Sequence, residues 1–245
     1  MTRISIITVA RNAEGTIAQT IESVLHQTVL PYEYLIKDGN STDDTVLIAQ
    51  GYREAFEKAG ISYRILTGED KGIYDAMNTG IDAAGGDLIG ILNADDWYEP
   101  VALECVCRAY EEEPFDLFFA DLRMHRDEKH CFIKHARDRK YATSRDWNHP
   151  TTFITKEMYG RYRYKNDTIH DDYDLILRMK KDHVRVRVCN EVLANFRMNG
   201  MSHKRSIRDA LSRASIKYGI YRQNGYSRFY LLECYGVELA KLVIG

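Results

Sequence analysis

Short strand-like runs alternate with helix-period segments four times before residue 93, and this alternation restricts the fold more than any other feature. Ile4-Ser5-Ile6-Ile7-Thr8-Val9, Tyr34-Leu35-Ile36, Tyr63-Arg64-Ile65-Leu66 and Leu88-Ile89-Gly90-Ile91-Leu92 are β-branched or apolar runs too short for helices. Between them lie Ile17, Ile21, Val24 and Leu25 at helical spacing, then residues 44–57, then residues 73–84. Asn12 reads as the cap of the first helix, and Ser41-Thr42-Asp43-Asp44 has the form of a capping box for the second. Strand and helix in strict alternation, with short connections, imply an α/β fold with a mostly parallel, doubly wound sheet flanked by helices. Such sheets bind ligands beyond the carboxyl ends of their strands.

The fourth run ends abruptly in Asn93-Ala94-Asp95-Asp96, which sets two adjacent carboxylates at that edge. Oxygen-rich clusters of this kind suit a hard divalent cation, magnesium or manganese. The plain alternative is helix capping, since a helical stretch follows from Glu99. Asp38 closes the second strand at the same edge. A carboxylate there can accept hydrogen bonds from a nucleobase or ribose, although Asp-Gly is also ordinary turn chemistry. Asp70-Lys71-Gly72 combines a cation, a glycine turn and a helix start, an arrangement that favours a phosphate group. No GxxxxGK[ST] or GxGxxG follows a strand, so the nucleotide-binding loops with those signatures are excluded.

The second half is less regular. Residues 99–112 read as a helix, 115–122 as a strand, 123–148 as a long loop or strand pair, and 184–188 as a half-exposed strand. His170-Asp171-Asp172-Tyr173-Asp174 opens a helix that carries Arg178. One of these carboxylates can serve as a general base, or all can serve as caps, with Asp174 and Arg178 paired one turn apart. His149 and His203 read as ordinary surface or core histidines.

With 245 residues, 44% hydrophobic, the chain is long enough for one large domain or two small ones. The net charge of -2 excludes an obvious nucleic-acid binder, though residues 123–145 hold eight basic against three acidic side chains. Five scattered cysteines show no zinc-ligand spacing and read as reduced thiols, in keeping with a cytoplasmic protein. No apolar run approaches the length of a membrane span.

Five motifs in order resemble a family 2 glycosyltransferase of GT-A fold. They are Ile4-Ser5-Ile6-Ile7-Thr8, Lys37-Asp38-Gly39-Asn40-Ser41-Thr42-Asp43-Asp44-Thr45, Asp70-Lys71-Gly72-Ile73-Tyr74-Asp75-Ala76-Met77-Asn78, Leu92-Asn93-Ala94-Asp95-Asp96 and Asp171-Asp172-Tyr173-Asp174-Leu175. The overall look is that of bacterial enzymes building exopolysaccharide or O-antigen. The resemblance implies inverting transfer of a sugar from a nucleotide-diphosphate donor to a saccharide or lipid-linked acceptor hydroxyl. It places Thr8, Asp38, Lys71, Asn93 and Asp95 on the nucleotide sugar, Asp95 and Asp96 on a divalent Mn2+ or Mg2+, and Asp172 as the base, with Asp171 its closest rival. It divides the chain into a catalytic domain over residues 1–203 and a C-terminal helical extension over 204–245. Within the domain, residues 1–97 form a nucleotide-sugar half and 98–203 an acceptor-side half.

The sequence departs from the family in places. Asn93 occupies the first position of a D-x-D reading, Asn40 stands where many members have glycine, and the Q-x-x-R-W motif of processive synthases is absent, which argues for single-sugar addition. A sugar nucleotidyltransferase is the rival enzyme, but Ala10-Arg11-Asn12-Ala13-Glu14-Gly15 lacks its glycine-rich basic loop. A non-catalytic nucleotide-sugar binder is the other alternative. The basic, tyrosine-rich residues 204–228 suit either contact with the inner face of the cell membrane or packing against the catalytic domain or a second copy.

Overall fold

A computed structural model describes residues 2–127, 129–198 and 206–244. His203 and the expected domain boundary lie outside the described residues.

The first half follows the alternation. β1 (Ile4–Ala10), α1 (Ile17–Leu25), β2 (Glu33–Asp38), α2 (Thr45–Gly51), α3 (Arg53–Lys58), β3 (Ser62–Thr67), α4 (Ile73–Ala83) and β4 (Leu88–Ile91) succeed one another. β1, β2 and β4 are buried along their whole length, as strands covered on both faces must be. The single helix expected over 44–57 is two helices that meet at Tyr52.

Two cap assignments are corrected. α1 starts after Thr16, and Asn12 instead takes a left-handed φ of 51° with its Oδ1 accepting from the Thr42 amide at 2.9 Å. The Ser41 hydroxyl does not cap α2; it donates back to Asp38. Both side chains tie the loops after β1 and β2 together.

Next come β5 (Trp97–Tyr98), α5 (Ala102–Glu112), β6 (Leu117–His125), β7 (Cys131–Lys134), a 3-10 turn (His149–Thr151), β8 (Phe153–Thr155), α6 (Lys156–Arg161), α7 (Asp171–Lys181) and β9 (Val186–Arg197). The sheet runs β3-β2-β1-β4-β8-β6-β9-β5, with β7 paired to β6. The β3-β2-β1-β4 half is parallel. β8 enters antiparallel to both β4 and β6, while β9 runs parallel to β6. Close approach makes the first of these joins: a Cβ on Gly90 would stand 2.5 Å from the Phe153 ring. Residues 123–148 contain the β6–β7 strand pair, and β9 runs nine residues beyond the 184–188 segment expected as strand.

Two apolar layers, one on each face of the sheet, form the core. The chain closes with α8 (Ile207–Gln223) and α9 (Tyr230–Ile244). The tyrosines of this region point inward. The Tyr221 hydroxyl lies 2.9 Å from that of Tyr173 and donates to the Ala142 carbonyl, and Tyr226 donates to the Leu177 carbonyl. Their apolar rings pack and their hydroxyls find partners, which accounts for the aromatic content of this segment. Among the described residues no helix is long and apolar enough to cross a membrane, and the cysteines are free.

Candidate active site

Register brings the site together. Ala10, Asp38 and Thr67 are neighbours at the carboxyl ends of β1, β2 and β3, and Leu92 follows β4 at the same edge. Because β8 is antiparallel to β4, its entry, including the turn at His149, lies at that edge too. β6 and β9 end there with His125 and Arg197.

Asp38 is 1% exposed, and each of its oxygens accepts from Ser41: Oδ2 from the amide at 3.0 Å, Oδ1 from the hydroxyl. Beside it the buried Lys37 ammonium donates to Asp70 at 2.6 Å and to the Gly68 and Asp38 carbonyls. This ion pair joins two motifs that stand more than thirty residues apart in the chain. Lys71 is exposed, and among the described residues it has no ion pair. Its carbonyl accepts from Asn166. Gly72 has φ 147°, and a Cβ there would lie 2.8 Å from Asn166 Oδ1, so this turn requires glycine.

Thr8, expected on the nucleobase, belongs to the last residues of β1 before that edge. It is fully buried within β1, and its hydroxyl accepts from that of Tyr34 at 2.9 Å. The strand continues two residues beyond Thr8, to Ala10, before the chain turns.

At the end of β4, Asp95 is half-buried and Asp96 is fully buried. Arg197 fixes this loop: its Nε donates to the Asp95 carbonyl at 3.0 Å and its amide to Asp96 Oδ1 at 3.3 Å. The guanidinium also lies over the Trp97 ring and bonds Gln19. Burial raises the Asp95 pKa against the pull of Arg197. Burial and then the Asp95 charge push Asp96 well above the usual carboxylate range. Asp96 Oδ2 and Asn93 Oδ1 are buried with no hydrogen-bond partner among the described residues. Such a donor set fits a hard divalent cation, which would satisfy the orphaned oxygen and hold both carboxylates ionised. Among the described residues no group of three His, Cys, Asp or Glu side chains sits together, so further ligands would come from a bound phosphate or water.

The two aspartates that open α7 have different surroundings. Asp171 is 2% exposed and accepts from the Asp167 amide, the Thr168 amide and the Thr168 hydroxyl. Asp172 is half-exposed. Its Oδ1 lies 3.1 Å from the Tyr74 hydroxyl and accepts from the Tyr173 amide, and no described residue bonds its Oδ2. Burial and the Asp172 charge hold the Tyr74 phenol far above its usual range, so it remains a donor. Asp174 pairs with Arg178 one turn on, as expected, and with Lys165.

Tyr74 and Arg197 were not singled out in the sequence. Tyr74 stands inside the Asp70–Asn78 motif but carries no signal of its own. Arg197 would have been visible only from the true length of β9.

A parallel half-sheet with carboxylates at its edge, joined to a mixed half that presents another carboxylate from a helix N-terminus, defines a sugar transferase of GT-A architecture. The chain belongs to glycosyl transferase family 2, whose model matches residues 5–185. It is 36% identical over 122 residues to a PGL/p-HBAD biosynthesis glycosyltransferase of Mycobacterium bovis, a match that covers 49% of this chain and 46% of that relative, just under half its length. Among solved structures it is similar to S. aureus TarS, with a TM-score of 0.69 at 14% identity over 97% of this chain and 70% of that one. It is equally similar to the mannosyltransferase PcManGT of Pyrobaculum calidifontis, solved with GDP-Man and Mn2+. There the TM-score is 0.68 at 14% identity, covering 100% of this chain and 76% of that one.

Proposed function

We propose that this glycosyltransferase moves one sugar from a nucleoside-diphosphate sugar to an acceptor hydroxyl, with inversion at the anomeric carbon, in the assembly of a cell-surface polysaccharide. The observation that carries this reading is the contrast at the start of α7. Asp171 is consumed by its own turn, while Asp172 has one oxygen held by Tyr74 and the other without a partner among the described residues. A single carboxylate so placed accepts the proton of the attacking hydroxyl. Inversion needs only one such base, unlike the paired carboxylates of retaining glycosidases.

Asp38 and Lys71 serve the nucleotide, Asp38 through lone pairs not taken by Ser41 and Lys71 through its charge beside the diphosphate. Asn93 and Asp95 face the ribose and phosphates. Asp95 and Asp96 would hold Mn2+ or Mg2+, which supplies charge neutralisation on the diphosphate leaving group. Arg197 keeps both aspartates in place. Thr8 supports β1 from below and takes no direct part. The complexes of TarS with UDP and of PcManGT with GDP-Man and Mn2+ support a nucleotide-sugar donor and a cation here.

The test is transfer from a panel of nucleotide sugars with and without manganese, following nucleoside diphosphate release and the anomeric configuration of the product by proton NMR. Release that needs both acceptor and cation, with an inverted product, is expected. A retained configuration, or full activity after exhaustive chelation, would overturn the corresponding part.

One surface observation favours peripheral contact with an anionic membrane. Phe229 and Leu232 are 66% and 72% exposed beside Arg228 on the α8–α9 hairpin. On this reading residues 204–245 form the membrane-facing extension of a cytoplasmic enzyme. Co-sedimentation with anionic vesicles at low salt tests it. No binding would end it, and a concentration-dependent dimer would assign the face to a second copy.

A further inference from the structure

Shortly before β8, three consecutive residues carry buried side-chain atoms with no hydrogen-bond partner among the described residues: Trp147 Nε1, Asn148 Oδ1 and both ring nitrogens of His149. Native interiors seldom leave such groups unpaired, so a run of them calls for a reason. Asn148 has a structural one, since its Nδ2 donates to the Ala120 carbonyl at 2.7 Å and to the Lys134 carbonyl at 3.2 Å. Trp147 and His149 have none of this kind for their ring nitrogens. The two rings meet edge-on with centroids 5.9 Å apart, and the Trp147 ring lies 6.0 Å from that of Tyr173, the residue after Asp172. The Asp172 charge is near enough to draw the His149 pKa upward, yet burial outweighs it and holds the ring below its ordinary value.

The chemistry of these groups narrows the ligand. A neutral imidazole offers one donor and one acceptor, and the indole offers one donor. A sugar hydroxyl, which both donates and accepts, matches that set; a phosphate would find no cation in the pair. A metal would find no third ligand, since no cluster of metal-binding side chains occurs among the described residues.

We propose that His149 and the Trp147 indole bind hydroxyl groups of the acceptor sugar beside Asp172, the imidazole turning the reacting hydroxyl toward the carboxylate. His149 is thus a positioning and specificity residue rather than the base. The inference rests on the transfer reading above and deepens its acceptor side.

Wild type is compared with His149→Ala, His149→Asn and Trp147→Phe, using UDP-sugars and GDP-mannose as donors, p-nitrophenyl glycosides as acceptors and manganese. The acceptor kcat/KM is expected to fall about ten- to hundredfold in His149→Ala, the effect of removing one buried partner of a hydroxyl. His149→Asn, which keeps a donor and an acceptor, should recover part of this, and donor KM should not move. Trp147→Phe keeps the ring packing and should change the preference among glycosides. Unchanged acceptor kinetics in His149→Ala would overturn the proposal, as would a rise confined to donor KM. Loss of the acidic limb of the pH profile in His149→Asn would make His149 the base and also contradict it. If wild type transfers to no glycoside, the transfer reading fails by itself. The subsite is then read from 15N-histidine NMR of the wild type with p-nitrophenyl glycosides added. Shifted His149 ring nitrogens support it, and unmoved ones overturn it.

Discussion

The Tyr74 hydroxyl stands 3.1 Å from Asp172 Oδ1, across 98 residues of sequence. It links the start of α4, just after the Asp70-Lys71-Gly72 turn, to the start of α7. The proposed base is therefore held by the same element that follows the proposed diphosphate contact. Because the phenol stays protonated, it can turn only as a donor, toward Asp172 or toward the Ile169 carbonyl at the same distance.

Removing that donor tests the link. Tyr74→Phe keeps the ring stacked on Tyr164 at 5.4 Å and deletes only the hydroxyl. A hydrogen bond to a charged group is worth about 1.5–3 kcal/mol, so kcat should fall about tenfold or more, with donor KM little changed. Steady-state kinetics over a donor series separates the two constants.

Asp171 should behave as a structural residue. Asp171→Asn loses charge-assisted acceptance from the 167–168 turn, costing about 1–3 kcal/mol of stability. Thermal unfolding should show a lower Tm, while kcat per folded molecule should stay far above that of an Asp172 variant.

The buried Lys37–Asp70 pair, with side chains 4% and 8% exposed, is costly to break from one side. Lys37→Met should destabilise by about 3–5 kcal/mol, since it strands a buried carboxylate, and Lys37→Met/Asp70→Leu should recover much of that loss. Denaturant unfolding of the four variants in the cycle measures the coupling.

Glu33 governs part of the acid stability. Burial raises its pKa, but hydrogen bonds from Ser5, the Gly85 amide and Arg64 outweigh burial and bring it below its ordinary 4.5. The folded state therefore binds fewer protons than the unfolded state in that range. Its contribution is fully present above pH 4.5 and is lost as pH falls through the lower folded value. Glu33→Gln should be less stable than wild type at neutral pH, with a shallower loss of stability below pH 4.5.

Local periodicity made the first half legible. β1 to β4 and their helices announce themselves because parallel strands buried on both faces are apolar throughout. β8 is three residues long, and its place between β4 and β6 depends on Gly90 meeting Phe153, a contact with no local signature. The full length of β9 has no local signal because its middle, Asn190 and Glu191, is polar and exposed where the ladder with β6 slips. Among the candidate site residues, Asp38, Lys71, Asp95, Asp96 and the Asp171-Asp172 pair lie in motifs that the sequence displays. Which of that pair is held by its own turn depends on residues 167–168, and the burial of Thr8 depends on β1 continuing to Ala10. The surroundings of His149 and Arg197 are set by packing and distant partners, which single-residue chemistry does not display.

If Asp172 is the base and the donor site lies elsewhere, transfer and donor binding must separate in a single variant. Asp172→Asn removes the basic oxygen and retains the size of the side chain. Sugar transfer should fall by about two to four orders of magnitude, with nucleotide-sugar affinity, followed by calorimetry with manganese present, unchanged. Wild-type transfer rates in Asp172→Asn would contradict that role for Asp172.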